Sequence, residues 1–129
     1  MNGTRIFRSD DDRRTWLVLF ALTVRRFGWH VHAFCLMGNH FHLVVESSRV
    51  SLSDGMRLLN GRYAQWFNRK YRRQGHLFGA RFGARVIESD EYLAAAVEYV
   101  LNNPVRAKLC ATASEWQWSG SQNLSLIHI

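Results

Sequence analysis

The sequence is poor in cysteine and proline, and it contains no long apolar run. Its 129 residues include only two cysteines, Cys35 and Cys110, which excludes the disulfide framework that holds small secreted domains together. No apolar stretch approaches the roughly 18 residues of a membrane-spanning helix, and no signal-peptide pattern opens the chain. We therefore expect a cytoplasmic protein that has no membrane partner.

Acidic side chains are also scarce, since 10 aspartates and glutamates stand against 17 lysines and arginines and leave a net charge of +7. A small domain with this charge balance usually binds a polyanion, and nucleic acid is the first candidate. The alternative is charge that only keeps the chain in solution. The length predicts one domain, and a hydrophobic fraction of 47% is enough for a compact core.

The spacing of apolar residues predicts helices and strands in alternation. The first helix follows the capping residue Ser9 and stops before Gly28, and the last helix stops before Pro104. Two β-prone runs joined at Gly38-Asn39 predict an antiparallel pair of strands. The predicted helices span 10–27, about 52–72 and about 89–102. The predicted strands span 29–36, 39–46 and about 82–88.

Side chains alternate between the two faces of a strand, and this sorts the residues of the first predicted strand into two sets. One face is predicted to carry His30, His32, Phe34 and Leu36. The other face is predicted to carry Val31, Ala33 and Cys35.

The second predicted strand carries a His-x-His pair, His40 and His42, whose side chains point to the same face. Two imidazoles side by side on a rigid strand can bind one metal ion. Surface histidines, or core histidines with hydrogen-bond partners, would show the same spacing. His30 and His32 form a second such pair, so spacing alone does not choose between the two.

Basic residues are interleaved with aromatic residues along the second predicted helix and the glycine-rich segment after it. This composition suits a surface that follows a phosphate backbone and stacks on bases. The commoner alternative is an amphipathic helix with a solvated basic face. The candidate DNA-binding residues are Arg57, Arg62, Arg69, Lys70, Arg72, Arg73, Arg81 and Arg85.

Four sequence blocks occur in an order that is found in a known family. They are HAFCLMGNHFHLVVE at 32–46, LNGRYAQWFNR at 59–69, GHLFGARF at 75–82 and EYVLNNPVRA at 98–107, and WQWS follows at 116–119. The chain resembles the single-tyrosine transposases with a His-hydrophobic-His motif and, in detail, the REP-associated tyrosine transposases. The match extends from roughly residue 5 to residue 119. We expect one transposase-like domain at 1–119 and a disordered tail at 120–129.

The resemblance implies an α+β fold of the ferredoxin-like kind, in which helices pack on a central antiparallel sheet that carries the histidine pair. Members of the family begin with a central strand ahead of the region that corresponds to Arg5-Ile6-Phe7. Few residues precede that region here. We therefore expect an N-terminally shortened domain that lacks this first strand.

The resemblance also implies a metal-dependent endonuclease and strand transferase that cuts single-stranded DNA beside REP-like hairpins. Tyr99 would be the nucleophile and would form a 5′-phosphotyrosine. His40, His42 and Asn103 would bind the divalent ion, either Mg²⁺ or Mn²⁺. Members of the family include monomers and homodimers, and both states are open for this chain.

Two other functions compete with the transposase prediction. One is a DNA-binding module that keeps the basic helix and does not cleave, as a degenerate or truncated copy would. The other is a nucleotide hydrolase of the triple-histidine type, which needs a third histidine where this chain has Val44.

Overall fold

A computed structural model describes residues 4–78 and 83–121 of the protein. The α-helices within these ranges are α1 (Asp10–Phe27), α2 (Arg49–Lys70), α3 (Asp90–Leu101) and α4 (Asn103–Arg106). The strands within them are β1 (His30–Leu36), β2 (Phe41–Glu46) and β3 (Ser119–Ser121). None of the described helices is long and apolar enough to cross a membrane.

The three strands form one antiparallel sheet in the order β2-β1-β3, with β1 in the centre. The predicted hairpin is confirmed, although β1 begins one residue later than predicted and β2 begins two residues later. Its turn is closed by a hydrogen bond from Met37 N to His40 O at 2.9 Å. With helices on both faces of this sheet, the predicted α+β class is confirmed.

A bulge interrupts β1 at His32. Val31 lies opposite Val45, and Ala33 lies opposite Val44, so His32 is the extra residue in β1. The extra residue shifts the alternation of side chains by one position. Val31 therefore packs in the same cluster as Phe34 and Leu36, and the prediction that it shares a face with Ala33 and Cys35 was wrong.

Helix α1 has the bounds predicted from its capping residues. Ser9 Oγ accepts a hydrogen bond from Asp12 N at 3.3 Å. Gly28 ends the helix with a φ of 68°, a left-handed conformation that glycine adopts at little cost. The buried stripe of α1 includes Trp16, Leu17 and Phe20.

Helix α2 begins three residues before its predicted start and ends two residues before its predicted end. Ser48 caps it by accepting a hydrogen bond from Ser51 N at 3.1 Å, so the chain becomes helical at Arg49. The buried residues of α2 are Gly55, Met56, Leu59, Tyr63 and Phe67. The last four of them pack with the buried stripe of α1 on the face of β1 that carries Phe34 and Leu36, and together these residues form the aromatic face of the sheet.

Asp12 joins the start of α1 to the end of α2. Its carboxylate is fully buried and accepts hydrogen bonds from Arg8 N at 2.8 Å, Lys70 Nζ at 2.7 Å and Tyr71 OH at 2.6 Å. Burial by itself would raise the pKa of this carboxyl group, but the three hydrogen bonds outweigh burial and lower the pKa. The buried charge is therefore satisfied and fixes α1 to α2.

The opposite face of the sheet is covered by α3. Alternate residues of β1 and of the position just after it face this side, and they are Ala33, Cys35 and Met37. They pack with Val44 of β2 and Val100 of α3. These side chains are small compared with those of the aromatic face. We call this second layer the α3 face.

The segment 83–88 forms no strand, so the strand predicted at about 82–88 was wrong over its described part. Position 82 lies outside the described residues. Val86, a strand-prone residue, has 66% of its surface exposed. The third strand is β3 instead, and it extends two residues beyond the predicted domain boundary at 119. The rest of the predicted tail, 122–129, lies outside the described residues, and the expected absence of a first strand stays a prediction.

Candidate active site

The side chains of His40 and His42 lie on the α3 face of the sheet. His42 is opposite Cys35 in the antiparallel ladder, and residues directly opposite each other share a face. Cys35 belongs to the cluster that packs against α3. The rings of His40 and His42 are adjacent, with their centroids 4.9 Å apart.

Burial disfavours the charged form of both imidazoles. Burial lowers the pKa of His40. Burial also lowers the pKa of His42, and the nearby charges of His40 and Arg106 lower it further. His40 Nδ1 lies 2.7 Å from Asn39 Oδ1, and the tautomer that donates a hydrogen bond from Nδ1 to this oxygen leaves Nε2 with a free lone pair. A neutral, oriented imidazole is the form that binds a metal ion.

Tyr99 lies near the end of α3, the helix that covers the histidine face. It precedes the buried residue Val100 and itself has 58% of its surface exposed. The hydroxyl group is therefore accessible to a large substrate. Asn103, four residues later, is half-buried and is the first residue of α4.

Arg106 contacts Tyr99 in two ways. Its Nη2 donates a hydrogen bond to the Tyr99 carbonyl oxygen at 2.7 Å, and its Cζ lies 3.7 Å from the centroid of the Tyr99 ring. Its charge also reaches His42, whose pKa it lowers. Arg106 was not among the predicted site residues, although it lies in the EYVLNNPVRA block.

A metal ion at this site would need at least one ligand other than a histidine, cysteine, aspartate or glutamate side chain. Within residues 4–78 and 83–121, no three histidine, cysteine, aspartate or glutamate side chains form a group that could hold a metal ion. The structure places the two imidazoles on the α3 face, and the third predicted ligand, Asn103, lies at the start of α4. Neutral imidazoles with a free nitrogen suit a divalent transition metal such as Mn²⁺ better than Mg²⁺.

Comparison with known proteins identifies the family. A family model described as Transposase IS200 like matches residues 4–103. The chain belongs to the IS200-like transposase family. No curated protein and no solved structure matches it. The matched range contains His40, His42, Tyr99 and Asn103 and ends before Arg106. Membership gives this IS200-like transposase a DNA-processing role in transposition, with DNA as its partner.

The basic residues of α2 lie on the other side of the sheet of this IS200-like transposase. Helix α2 packs on the aromatic face, whereas His40, His42 and Tyr99 belong to the α3 face. Some of the predicted DNA-binding residues also have partners within the chain. Arg57 pairs with Asp54 at 2.7 Å, Lys70 pairs with Asp12 at 2.7 Å and Arg73 donates to Asn68 at 2.8 Å. Arg62, Arg69 and Arg72 are exposed.

Arg85 lies on the same side as Tyr99. Its Nη1 is 3.4 Å from Tyr92 OH on α3, and the hydrogen bond to that hydroxyl is the main cause of its raised pKa. Arg85 is exposed, so it can contact a strand of DNA that approaches Tyr99. Arg81, the remaining predicted DNA-binding residue, lies outside the described residues.

The second histidine pair of the transposase is remote from this site. His30 lies opposite Glu46 at the far end of the β1–β2 hairpin from His40. The rings of His30 and His32 are 4.5 Å apart, and His32 Nε2 lies 3.2 Å from Glu46 Oε1. The pairing of β1 with β2 therefore places the two histidine pairs, which have the same spacing in the sequence, at opposite ends of the hairpin.

Proposed function

We propose that this IS200-like transposase is a metal-dependent endonuclease and strand transferase that cuts single-stranded DNA beside hairpins, with Tyr99 as the nucleophile. The observation that carries the proposal is the placement of an exposed tyrosine on the helix that packs against the face of His40 and His42. Phosphodiester cleavage requires a positioned nucleophile and groups that stabilise charge on the phosphate, and an exposed tyrosine on the helix that covers two imidazoles supports this assignment.

The reaction is a transesterification at phosphorus. The Tyr99 oxygen forms a bond to the phosphorus atom and loses its proton, and the bond from phosphorus to the 3′ oxygen breaks. The released strand takes up a proton as a 3′-hydroxyl, and the other strand stays attached to the enzyme as a 5′-phosphotyrosine. Because the bond count is conserved, a 3′-hydroxyl of another strand can reverse the step without ATP.

His40, His42 and the amide oxygen of Asn103 would hold the divalent ion, Mn²⁺ more readily than Mg²⁺. Such an ion, when bound, supplies Lewis-acid stabilisation of the charge on the phosphate oxygens. The protein's own contribution is to disfavour the charged form of both imidazoles by burial and to orient His40 through Asn39.

The positions of the basic residues on the two faces of the sheet suggest a path for the DNA. Arg85 would contact the strand close to the cut, since it lies beside α3. Exposed arginines of α2, such as Arg62 and Arg69, would contact DNA farther away, because α2 lies on the opposite face. A REP-like hairpin with a stem and an unpaired flank is a substrate large enough to reach both.

The proposal is tested by covalent adduct formation with a labelled single-stranded hairpin DNA in the presence of Mn²⁺. The parent protein should give a DNA–protein adduct on a denaturing gel, and Tyr99→Phe should give none. Tyr92→Phe is the matched control, because Tyr92 lies on the same helix with 39% of its surface exposed. If the parent binds the hairpin without forming an adduct, the chain is a non-catalytic DNA-binding module instead.

The metal ligands are tested with the second histidine pair as an internal control. His42→Gln should slow adduct formation by about a hundredfold, because charge stabilisation at the phosphate is lost. His30→Gln, the same change at the far end of the hairpin, should leave the rate unchanged. Equal losses in the two variants would contradict the assignment of His40 and His42 as ligands, as would full activity in the presence of EDTA.

A further inference from the structure

Helix α3 ends at Leu101, and a turn at Asn102 leads into α4. Pro104 has no backbone N–H and cannot continue the hydrogen bonding of α3, so the chain enters the short helix α4 instead. This turn returns Arg106 to Tyr99, seven residues earlier. One guanidinium group then holds both the backbone carbonyl of Tyr99, at 2.7 Å, and the face of its ring, at 3.7 Å.

We propose that Arg106 is a positioning residue for Tyr99, which holds the phenol ring against its guanidinium group so that the hydroxyl oxygen faces DNA in one orientation. The inference rests on the proposed function, because orientation matters once Tyr99 attacks a phosphodiester. An error of about 1 Å in the placement of a reacting group can cost about a hundredfold in rate.

The contact is not explained by core packing. Tyr99 has 58% of its surface exposed, and Arg106 is also exposed. An exposed side chain on a helix surface normally exchanges rotamers within nanoseconds. A planar guanidinium restricts that motion by stacking on the ring, and its positive charge is favoured at the C-terminal end of α3.

Nuclear magnetic resonance of ring-labelled tyrosine tests the contact without DNA. The chain has four tyrosines, and the Tyr99 signal is the one that Tyr99→Phe removes. Arg106→Gln should shift this signal towards that of free tyrosine and narrow it. Lys108→Gln is the matched control, because it removes the same charge from an exposed residue two positions away. An unmoved Tyr99 signal in Arg106→Gln would overturn the proposal.

Single-turnover kinetics at saturating hairpin DNA and Mn²⁺ test the consequence. Arg106→Gln should lower the rate of adduct formation by about 10- to 100-fold, while its Kd for DNA stays within about twofold of the Lys108→Gln value. Arg106→Lys should recover only part of the rate, because an ammonium group keeps the charge but cannot stack as a plane. Thermal unfolding that matches the parent would show that the variants are folded.

Two kinetic results would overturn the inference. One is an equal rate in Arg106→Gln and Lys108→Gln, and the other is a defect confined to Kd, which would make Arg106 a simple phosphate contact. A parent protein that forms no adduct would overturn the proposed function instead. The Tyr99 ring signal would then still decide whether Arg106 holds the ring.

Discussion

The two faces of the sheet share one central strand but differ in what they bury. The aromatic face buries large rings of α1 and α2, among them Trp16, Phe20 and Tyr63, each with no exposed surface. The α3 face buries small side chains such as Ala33 and Cys35, and its helix leaves Tyr99 exposed. The difference indicates that the aromatic face supplies most of the stability, and that the α3 face can therefore carry polar groups that contribute little to it.

The largest effect expected from this comparison is that of Trp16→Ala. Its ring stacks on Phe20 with centroids 4.8 Å apart and packs at a tilt against Phe41 with centroids 4.7 Å apart, so its removal should lower the free energy of unfolding by about 3–5 kcal/mol. Val100→Ala on the α3 face should cost about 1–2 kcal/mol, because two methyl groups are lost. Urea unfolding measures both, and equal losses would break the comparison.

Asp12→Asn should lower the free energy of unfolding by about 3 kcal/mol at pH 7, because the asparagine amide would place a donor against the donors that Asp12 accepts from. The carboxyl group has a lowered pKa in the folded protein. Its contribution is therefore complete above its ordinary pKa of about 4, and it is lost as the pH falls through the folded value. Urea unfolding at pH 7 and pH 3 should show the gap between parent and variant narrowing at pH 3.

Gly55→Ala tests how tightly α2 packs on the aromatic face. A Cβ at this position would lie 2.2 Å from Cζ2 of the Trp29 ring, so the ring must move, and we expect a loss of about 1–3 kcal/mol. Gly61→Ala is the control in the same helix, where a Cβ meets nothing within 4 Å. It should stabilise the protein by about 0.5–1 kcal/mol. Thermal unfolding that moves in the same direction for both variants would contradict this packing.

The smallest changes in the free energy of unfolding are expected from Tyr→Phe substitutions, one on each face of the sheet. Tyr63 is fully buried and its hydroxyl donates to the Ile6 carbonyl oxygen, so Tyr63→Phe should cost about 1 kcal/mol. Tyr99→Phe should change the free energy of unfolding by less than about 0.5 kcal/mol, since its ring is exposed. Chemical denaturation distinguishes them, and a larger loss in Tyr99→Phe would reverse the assignment of the two faces.

The parts of the fold that the sequence predicts well are those with local signals. Both ends of α1 follow from Ser9 and Gly28, which act on the residues next to them. The start of α2 is predicted three residues late because serines at 48, 51 and 53 could each cap a helix, and only the structure shows that Ser48 does so. The strand predicted at about 82–88 fails because strand propensity does not say whether a neighbouring strand is free to pair.

The candidate site also combines features that have local sequence signals with features that have none. The His-x-His spacing names His40 and His42 as candidates, and the resemblance to the transposase family adds Tyr99 and Asn103. The bulge at His32 and the separation of α2 from the α3 face depend on pairing between distant segments. The sequence carries no local signal for either of these features. Arg106 was not predicted for a related reason, because its contact with Tyr99 depends on how α4 follows α3.

The indole of Trp116 donates a hydrogen bond to Leu36 O across 80 residues of sequence. The central strand thus completes its pairing with β3, a segment far downstream, whereas α1 and α2 flank the β1–β2 hairpin directly in the sequence. Pairing across such a distance costs loop-closure entropy and forms slowly. We expect the layer that carries Tyr99 to assemble last, so the α1–α2 layer can be compact before Tyr99 is in place.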